Sequence, residues 1–132
     1  MNLLLVTHGS IGKEMVASLH SILKIDPKID VVSVFPNDSP DSISAKIQHI
    51  IEEKRRHSGW LILTYLYGCT HFNQCLPFLD KADVEIIAGV NFPILMKLAT
   101  MKDELSLTEL VQFIKTYGQK NIVSAKEVVK RN

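Results

Sequence analysis

Short apolar runs alternate with longer stretches of helical periodicity along this chain. Residues 3–6 form a continuous apolar run that ends at Thr7-His8-Gly9, the pattern of a strand buried on both faces. Ile11, Met15, Leu19 and Ile22 then recur at helical spacing until Asp26-Pro27 breaks the pattern. Residues 29–35, rich in Val and Ile, read as a second strand closed by Pro36-Asn37-Asp38. A second helix follows, with Ser39 as N-cap, Pro40 at its first position and Asp41 near its positive end. Its apolar stripe is Ile43, Ile47, Ile50 and Ile51, and Lys54-Arg55-Arg56 complements the negative end.

Gly59 restarts the chain into a third strand over residues 60–65, followed by the turn-like Tyr67-Gly68-Cys69-Thr70 and a short helix over about residues 71–79. Residues 84–88 read as a fourth strand closed by Gly89, and a helix starts near Asn91 with Pro93 in its first turn. Ser106-Leu107-Thr108-Glu109 is a capping box for a last long helix carrying Leu110, Val111 and Ile114, with Gly118 as its expected stop. Residues 121–125 read as a final short strand before a polar tail. Strands that each precede a helix predict an α/β protein: a three-layer sandwich with a mostly parallel central sheet and helices on both faces. The 132 residues suit one domain, residues 1–132. In such sheets ligands bind beyond the carboxyl ends of the strands, so residues 7–10, 36–39, 64–70 and 89–93 are where chemistry is expected.

Composition narrows the function classes. Fifteen Lys+Arg against fourteen Asp+Glu give a net charge of +1, which lacks the basic excess that a nucleic-acid footprint requires. No apolar stretch approaches the roughly 20 residues that cross a bilayer, so no membrane insertion is expected. The N-terminus has no basic region and too short an apolar run for a secretion signal. Two cysteines, Cys69 and Cys75, make neither a disulfide framework nor a C-x-x-C pair, and the expected location is the cytoplasm.

Among the strand ends, His8 carries the chemistry. Imidazole titrates near pH 6.5, so at neutral pH one ring nitrogen keeps a free lone pair and is nucleophilic. Gly9 permits close backbone approach, and the N–H groups opening the next helix favour an anion. Together these suit a histidine that accepts a phosphoryl group; the plainer reading is a histidine that hydrogen-bonds a loop. Nucleotide signatures fail: in Gly9-Ser10-Ile11-Gly12-Lys13 the second glycine comes too early and no Ser/Thr follows the lysine, and no G-x-G-x-x-G occurs. The Cys69-x-His71-x3-Cys75 cluster has irregular spacing and only three candidate ligands, so a buried cysteine and a loop histidine are expected there rather than a metal or other cofactor. His20, His49 and His57 fall on helices or at their ends and are expected to be solvated or half-buried.

Three segments resemble one family. Leu4-Leu5-Val6-Thr7-His8-Gly9, residues 59–73 with Gly68-Cys69-Thr70-His71-Phe72-Asn73, and Ile86-Ile87-Ala88-Gly89-Val90-Asn91-Phe92-Pro93-Ile94-Leu95 are similar in order and spacing to the IIA components of the mannose-type family of the bacterial sugar phosphotransferase system. The resemblance implies a phosphotransferase component whose His8 takes phosphate from phospho-HPr and hands it to a IIB component during carbohydrate uptake. It also implies a homodimer with an exchanged C-terminal strand, association with a IIC/IID permease through IIB, and loop donors at Gly9, Cys69 and Thr70. The family places an aspartate on the second nitrogen of the active histidine. By register that position is Tyr65 here, and no acidic residue occurs from Gly59 to Gln74. Thr64 and Tyr65 are the candidates to orient the ring instead.

Three alternatives remain from the residues and the resemblance. One is a diverged IIA-like module that binds a partner and regulates without turnover. Another is a phosphotransfer subunit serving a dihydroxyacetone-kinase-like acceptor. The third is a histidine phosphatase, which would need arginines around His8, whereas Thr7 precedes it.

Overall fold

The computed structural model describes residues 1–54, 59–81, 83–102 and 104–130. Its sheet has four strands, β1 (Asn2–His8), β2 (Ile29–Val34), β3 (Trp60–Thr64) and β4 (Val84–Ile87), in the order β2-β1-β3-β4. All three pairings are parallel, with Val6 opposite both Val32 and Thr64. The helices are α1 (Ile11–Leu23), α2 (Pro40–Glu53), α3 (Thr70–Cys75), α4 (Phe92–Thr100), α5 (Leu107–Lys120) and α6 (Ala125–Lys130), with a 3₁₀ turn at Leu76–Asp80.

Alternate strand residues face opposite sides of a sheet, and here both sides are apolar. Leu3, Leu5, Leu61 and Leu63 pack with Leu19 of α1, Ile94 and Leu95 of α4, and Leu110 and Ile114 of α5. Leu4, Val6, Trp60 and Ile62 pack with Ile43, Ile47 and Ile51 of α2, Cys75 of α3, and Phe78. The result is the expected α/β three-layer sandwich.

Local chemistry sets the helix starts. Ser39 Oγ accepts from Ser42 N at 3.1 Å with Pro40 in the first turn of α2. Asn91 Oδ1 accepts from Ile94 N at 3.1 Å to open α4. The capping box of α5 is complete, with Glu109 N on Ser106 Oγ at 3.2 Å and Ser106 N on Glu109 Oε1 at 3.1 Å.

Three expectations are corrected. Pro77 divides the segment after Thr70 into α3 and a 3₁₀ turn, because proline has no N–H to continue the α-helical ladder. Gly118 does not stop α5, which runs to Lys120. It is buried where α5 crosses α4, and a Cβ there would lie 2.4 Å from Ile94 Cδ1. The glycine is needed for close approach. Residues 121–125 form no strand: after α5 a short turn leads into α6, whose Ala-Lys-Glu composition favours helix, and Ile122 and Val123 stay exposed. Lys54 caps α2 with its backbone N–H on Ile50 O at 2.9 Å, whereas Arg55, Arg56 and His57 lie outside the described residues.

Candidate functional site

Strand order reverses beside β1: the chain steps to one side for β2 and to the other for β3. Brought together at that switch point are the carboxyl end of β1, which carries His8, and the segment after β3, which carries Tyr65. Leu4, Val6 and His8 share strand parity, so His8 emerges on the side of the sheet covered by α2 and α3.

His8 is exposed while the six preceding residues of β1 are buried, so a solvent-facing imidazole stands on a rigid base. Gly9 has φ +52°, the left-handed conformation that turns the chain from β1 towards α1. A Cβ at Gly9 would meet nothing within 4 Å, so the backbone conformation, not close approach, demands glycine there. Its N–H donates to Val34 O at 2.8 Å. The start of α1 is held by Thr7, whose Oγ1 accepts from Gly12 N at 2.7 Å. Gly12 has no room for a Cβ, which would lie 2.5 Å from that hydroxyl and 3.0 Å from Val31 Cγ1.

His8 Nδ1 is hydrogen-bonded to the hydroxyl of Tyr65, and the two rings meet edge-on with centroids 5.8 Å apart. His71 completes the group. Its ring is perpendicular to that of His8 at 4.4 Å and stacks on Tyr65 at 5.4 Å with an interplanar angle of 19°. Thr64, the other candidate to orient the ring, is buried with its hydroxyl lacking a hydrogen-bond partner among the described residues, while its carbonyl accepts from Val90 N at 3.1 Å. Tyr65 is thus the candidate that reaches the imidazole.

His71, expected only as a loop histidine, joins the candidate site. It is fully buried in α3 and not in a loop. The signal was its spacing: His71 and Cys75 are i and i+4 on one helix face, and both point inward. Burial pushes its pKa down to about 4, helped by the nearby His8, so the ring is neutral around pH 7. Cys75 Sγ lies 3.2 Å from His71 O, and burial raises this thiol to about 12, with Cys69 adding to the effect.

Cys69 and Thr70, the expected loop donors, separate. Thr70 lines a cleft of about 640 Å³ together with His8, Gly9, Phe35 and Asp38. The Cys69 thiol instead contacts Leu66 O at 3.0 Å and the His71 ring nitrogens at 3.1 and 3.2 Å. Across the cleft, Asp38 accepts from Phe35 N at 2.7 Å and pairs with Lys46 at 2.9 Å. The Phe35 amide and Lys46 lower its pKa, so its carboxylate is ionised and already committed.

Known proteins extend this picture. Residues 2–115 match the family described as the PTS system fructose IIA component. The sorbose-specific EIIA component of Lacticaseibacillus casei is 26% identical over 136 aligned positions, covering 96% of this chain and 98% of that protein. The mannose-specific EIIAB component of Escherichia coli is 25% identical over 91% of this chain, which spans 38% of that longer protein. Among solved structures, the mannose/sorbose-specific IIA subunit from Enterococcus faecalis superposes with a TM-score of 0.85 at 24% identity, covering 93% of this chain and 92% of that one. EIIA from Streptococcus agalactiae gives 0.83 at 20% identity, covering 96% and 98%. The structural matches carry the fold, and the family match over most of the chain carries membership: the chain belongs to the mannose-type IIA components of the sugar phosphotransferase system.

Proposed function

We propose that this chain is a phosphoryl carrier in which His8 accepts the phosphoryl group of phospho-HPr on Nε2 and passes it to a IIB component during carbohydrate uptake. One observation carries the reading. His8 stands exposed at the switch point with Nδ1 engaged by Tyr65, while Nε2 has no hydrogen-bond partner among the described residues. With the proton on Nδ1 donated to the Tyr65 oxygen, the lone pair lies on Nε2, the nitrogen that can attack.

In the first step the Nε2 lone pair attacks the phosphorus of the donor phosphohistidine. The donor's N–P bond breaks and its electron pair returns to the donor ring. Transfer onward runs the same displacement with a nucleophile on IIB. The N-terminal end of α1 beside the cleft favours the phosphoryl charge, and in this reading Thr70, which lines the same cleft, donates a hydroxyl hydrogen bond to it. Neutral His71 matters for the same reason, since a second imidazolium at 4.4 Å would oppose the positive ring that forms as His8 is phosphorylated. Gly9 contributes its turn, its own N–H being committed to Val34. Cys69 supports His71 from behind.

Family membership supports the proposed partners: HPr as donor and IIB as acceptor, with a IIC/IID permease reached through IIB as the finer part of the proposal. A cytoplasmic location fits such a relay, and no helix among the described residues is long and apolar enough to cross a membrane. Exposed Ile122 and Val123 support a homodimer in which the C-terminal segment meets a second copy. Incubation with phosphoenolpyruvate, enzyme I and HPr is expected to give an acid-labile, base-stable label that His8→Ala abolishes. Absence of label, beside a mannose-type IIA control that labels, overturns the reading.

Tyr65 at the position of the family's aspartate favours a second reading, a IIA-like module that binds its partner and regulates without turnover. An unlabelled protein that still binds HPr or IIB would select it. Onward transfer to a dihydroxyacetone-kinase-like acceptor in place of IIB would redirect the relay without altering the His8 step.

A further inference from the structure

The hydroxyl that meets His8 can do something a carboxylate cannot. An ionised carboxylate only accepts, so it holds a proton on Nδ1 whatever Nε2 carries; a phenol both donates and accepts. The described surroundings supply no alternative anion to His8: Asp38 across the cleft is tied to Phe35 N and Lys46, and no acidic residue occurs from Gly59 to Gln74. His71 offers a neutral ring, and its stack with Tyr65 fixes the phenol plane and leaves only the O–H free to rotate.

We infer that Tyr65 is a positioning residue that reverses its hydrogen bond when His8 is phosphorylated, accepting from Nδ1–H in the free ring and donating to the Nδ1 lone pair in the phosphorylated one. The inference rests on His8 being the phosphorylated residue. In atoms, Nε2 forms the N–P bond, the ring passes through a cationic form with Nδ1–H, that proton leaves to water, and the Tyr65 O–H turns to face the vacated lone pair. A phosphoimidazole without a proton on Nδ1 is a poor leaving group, because the departing ring would carry a negative charge. The phosphoryl group on this chain is therefore held longer before Nδ1 regains a proton and the group moves on, a regulation of the relay by retention. With aspartate at position 65 the proton would stay on Nδ1 and the group would leave readily.

The test does not need HPr. Phosphoramidate transfers its phosphoryl group to imidazole nitrogen, releasing ammonia, and so loads His8 independently of any protein partner. Loss of phosphate at pH 7.5 is then followed by phosphorus NMR for the full chain and for Tyr65→Asp and Tyr65→Phe. The inference expects Tyr65→Asp to lose phosphate at least tenfold faster than the natural chain, with Tyr65→Phe between them. In a sample labelled with 15N-histidine, Nδ1 of phosphorylated His8 should show the shift of an unprotonated nitrogen in the natural chain and that of an N–H in Tyr65→Asp. Equal rates, or a protonated Nδ1 in the natural chain, overturns it. Should Tyr65→Asp fail to fold, the nitrogen shift in the natural chain decides alone. Loading by phosphoramidate without loading by phospho-HPr would remove the carrier reading and leave this one standing, whereas modification on Nδ1 or elsewhere than His8 would end it.

Discussion

Removing the titration of His71 should flatten the acid side of the stability curve. His71 has an ordinary value of 6.5 in the unfolded chain and about 4 when folded, because burial disfavours the imidazolium. The sign follows from linkage. The unfolded chain binds the proton first, so no penalty exists well above pH 6.5, and stability falls as pH drops from 6.5 towards 4. The whole shift corresponds to about 3 kcal/mol at most. Between pH 7.5 and pH 5 about 2 kcal/mol of it would be expressed, and water near the exposed His8 edge reduces this to about 1–2 kcal/mol. His71→Phe keeps a flat ring against Tyr65 and cannot titrate. Urea unfolding of both proteins at pH 7.5 and pH 5 isolates the effect, because the other histidines are common to both. The natural chain should lose about 1–2 kcal/mol more than the variant over that interval. Equal losses would mean that His71 charges freely in the fold, and the neutral aromatic group beside His8 would be wrong.

Three other perturbations read separate parts of the structure. Gly12→Ala pushes a methyl into Thr7 Oγ1 and Val31, and thermal unfolding should report a net loss of about 1–3 kcal/mol, the overpacking outweighing the gain in helix propensity. Iodoacetamide at pH 8 should modify Cys69 while sparing Cys75, whose thiol is buried and held near 12; peptide mapping checks the order, and equal labelling would contradict the packing of α3. Ser106→Ala removes the hydroxyl half of the α5 capping box and should lower stability by about 1 kcal/mol in urea unfolding, with no change in phosphorylation at His8.

Much of the fold is legible in the residues because each strand is a short apolar run and three helices announce themselves with caps. Ser39, Asn91 and Ser106 act locally, so their roles survive any tertiary context. Gly118 illustrates what local reasoning misses. A glycine near a helix end reads as a stop, yet its purpose here is set by Ile94, 24 residues away in sequence. Residues 121–125 carry β-branched side chains that suggest a strand, but within the single chain they pair with no strand of the sheet.

The site divides in the same way. His8 and Gly9 are visible from their place after an apolar run, and Tyr65 from its register. That the Tyr65 hydroxyl reaches Nδ1 depends on β1 and β3 being neighbours, which strand order decides and local pattern does not. The role of His71 was hidden for another reason: a histidine just after a turn reads as a loop residue, and only the inward face that it shares with Cys75 buries it.

The central claim is that Nε2 of His8 receives the phosphoryl group. A proton–phosphorus correlation spectrum of the protein after exposure to phosphoenolpyruvate, enzyme I and HPr tests this most directly, since the coupling pattern distinguishes the two ring nitrogens. The account predicts a single phosphorus signal coupled through Nε2 of one histidine, absent from His8→Ala. A signal through Nδ1, on another histidine, or persisting in His8→Ala would contradict it.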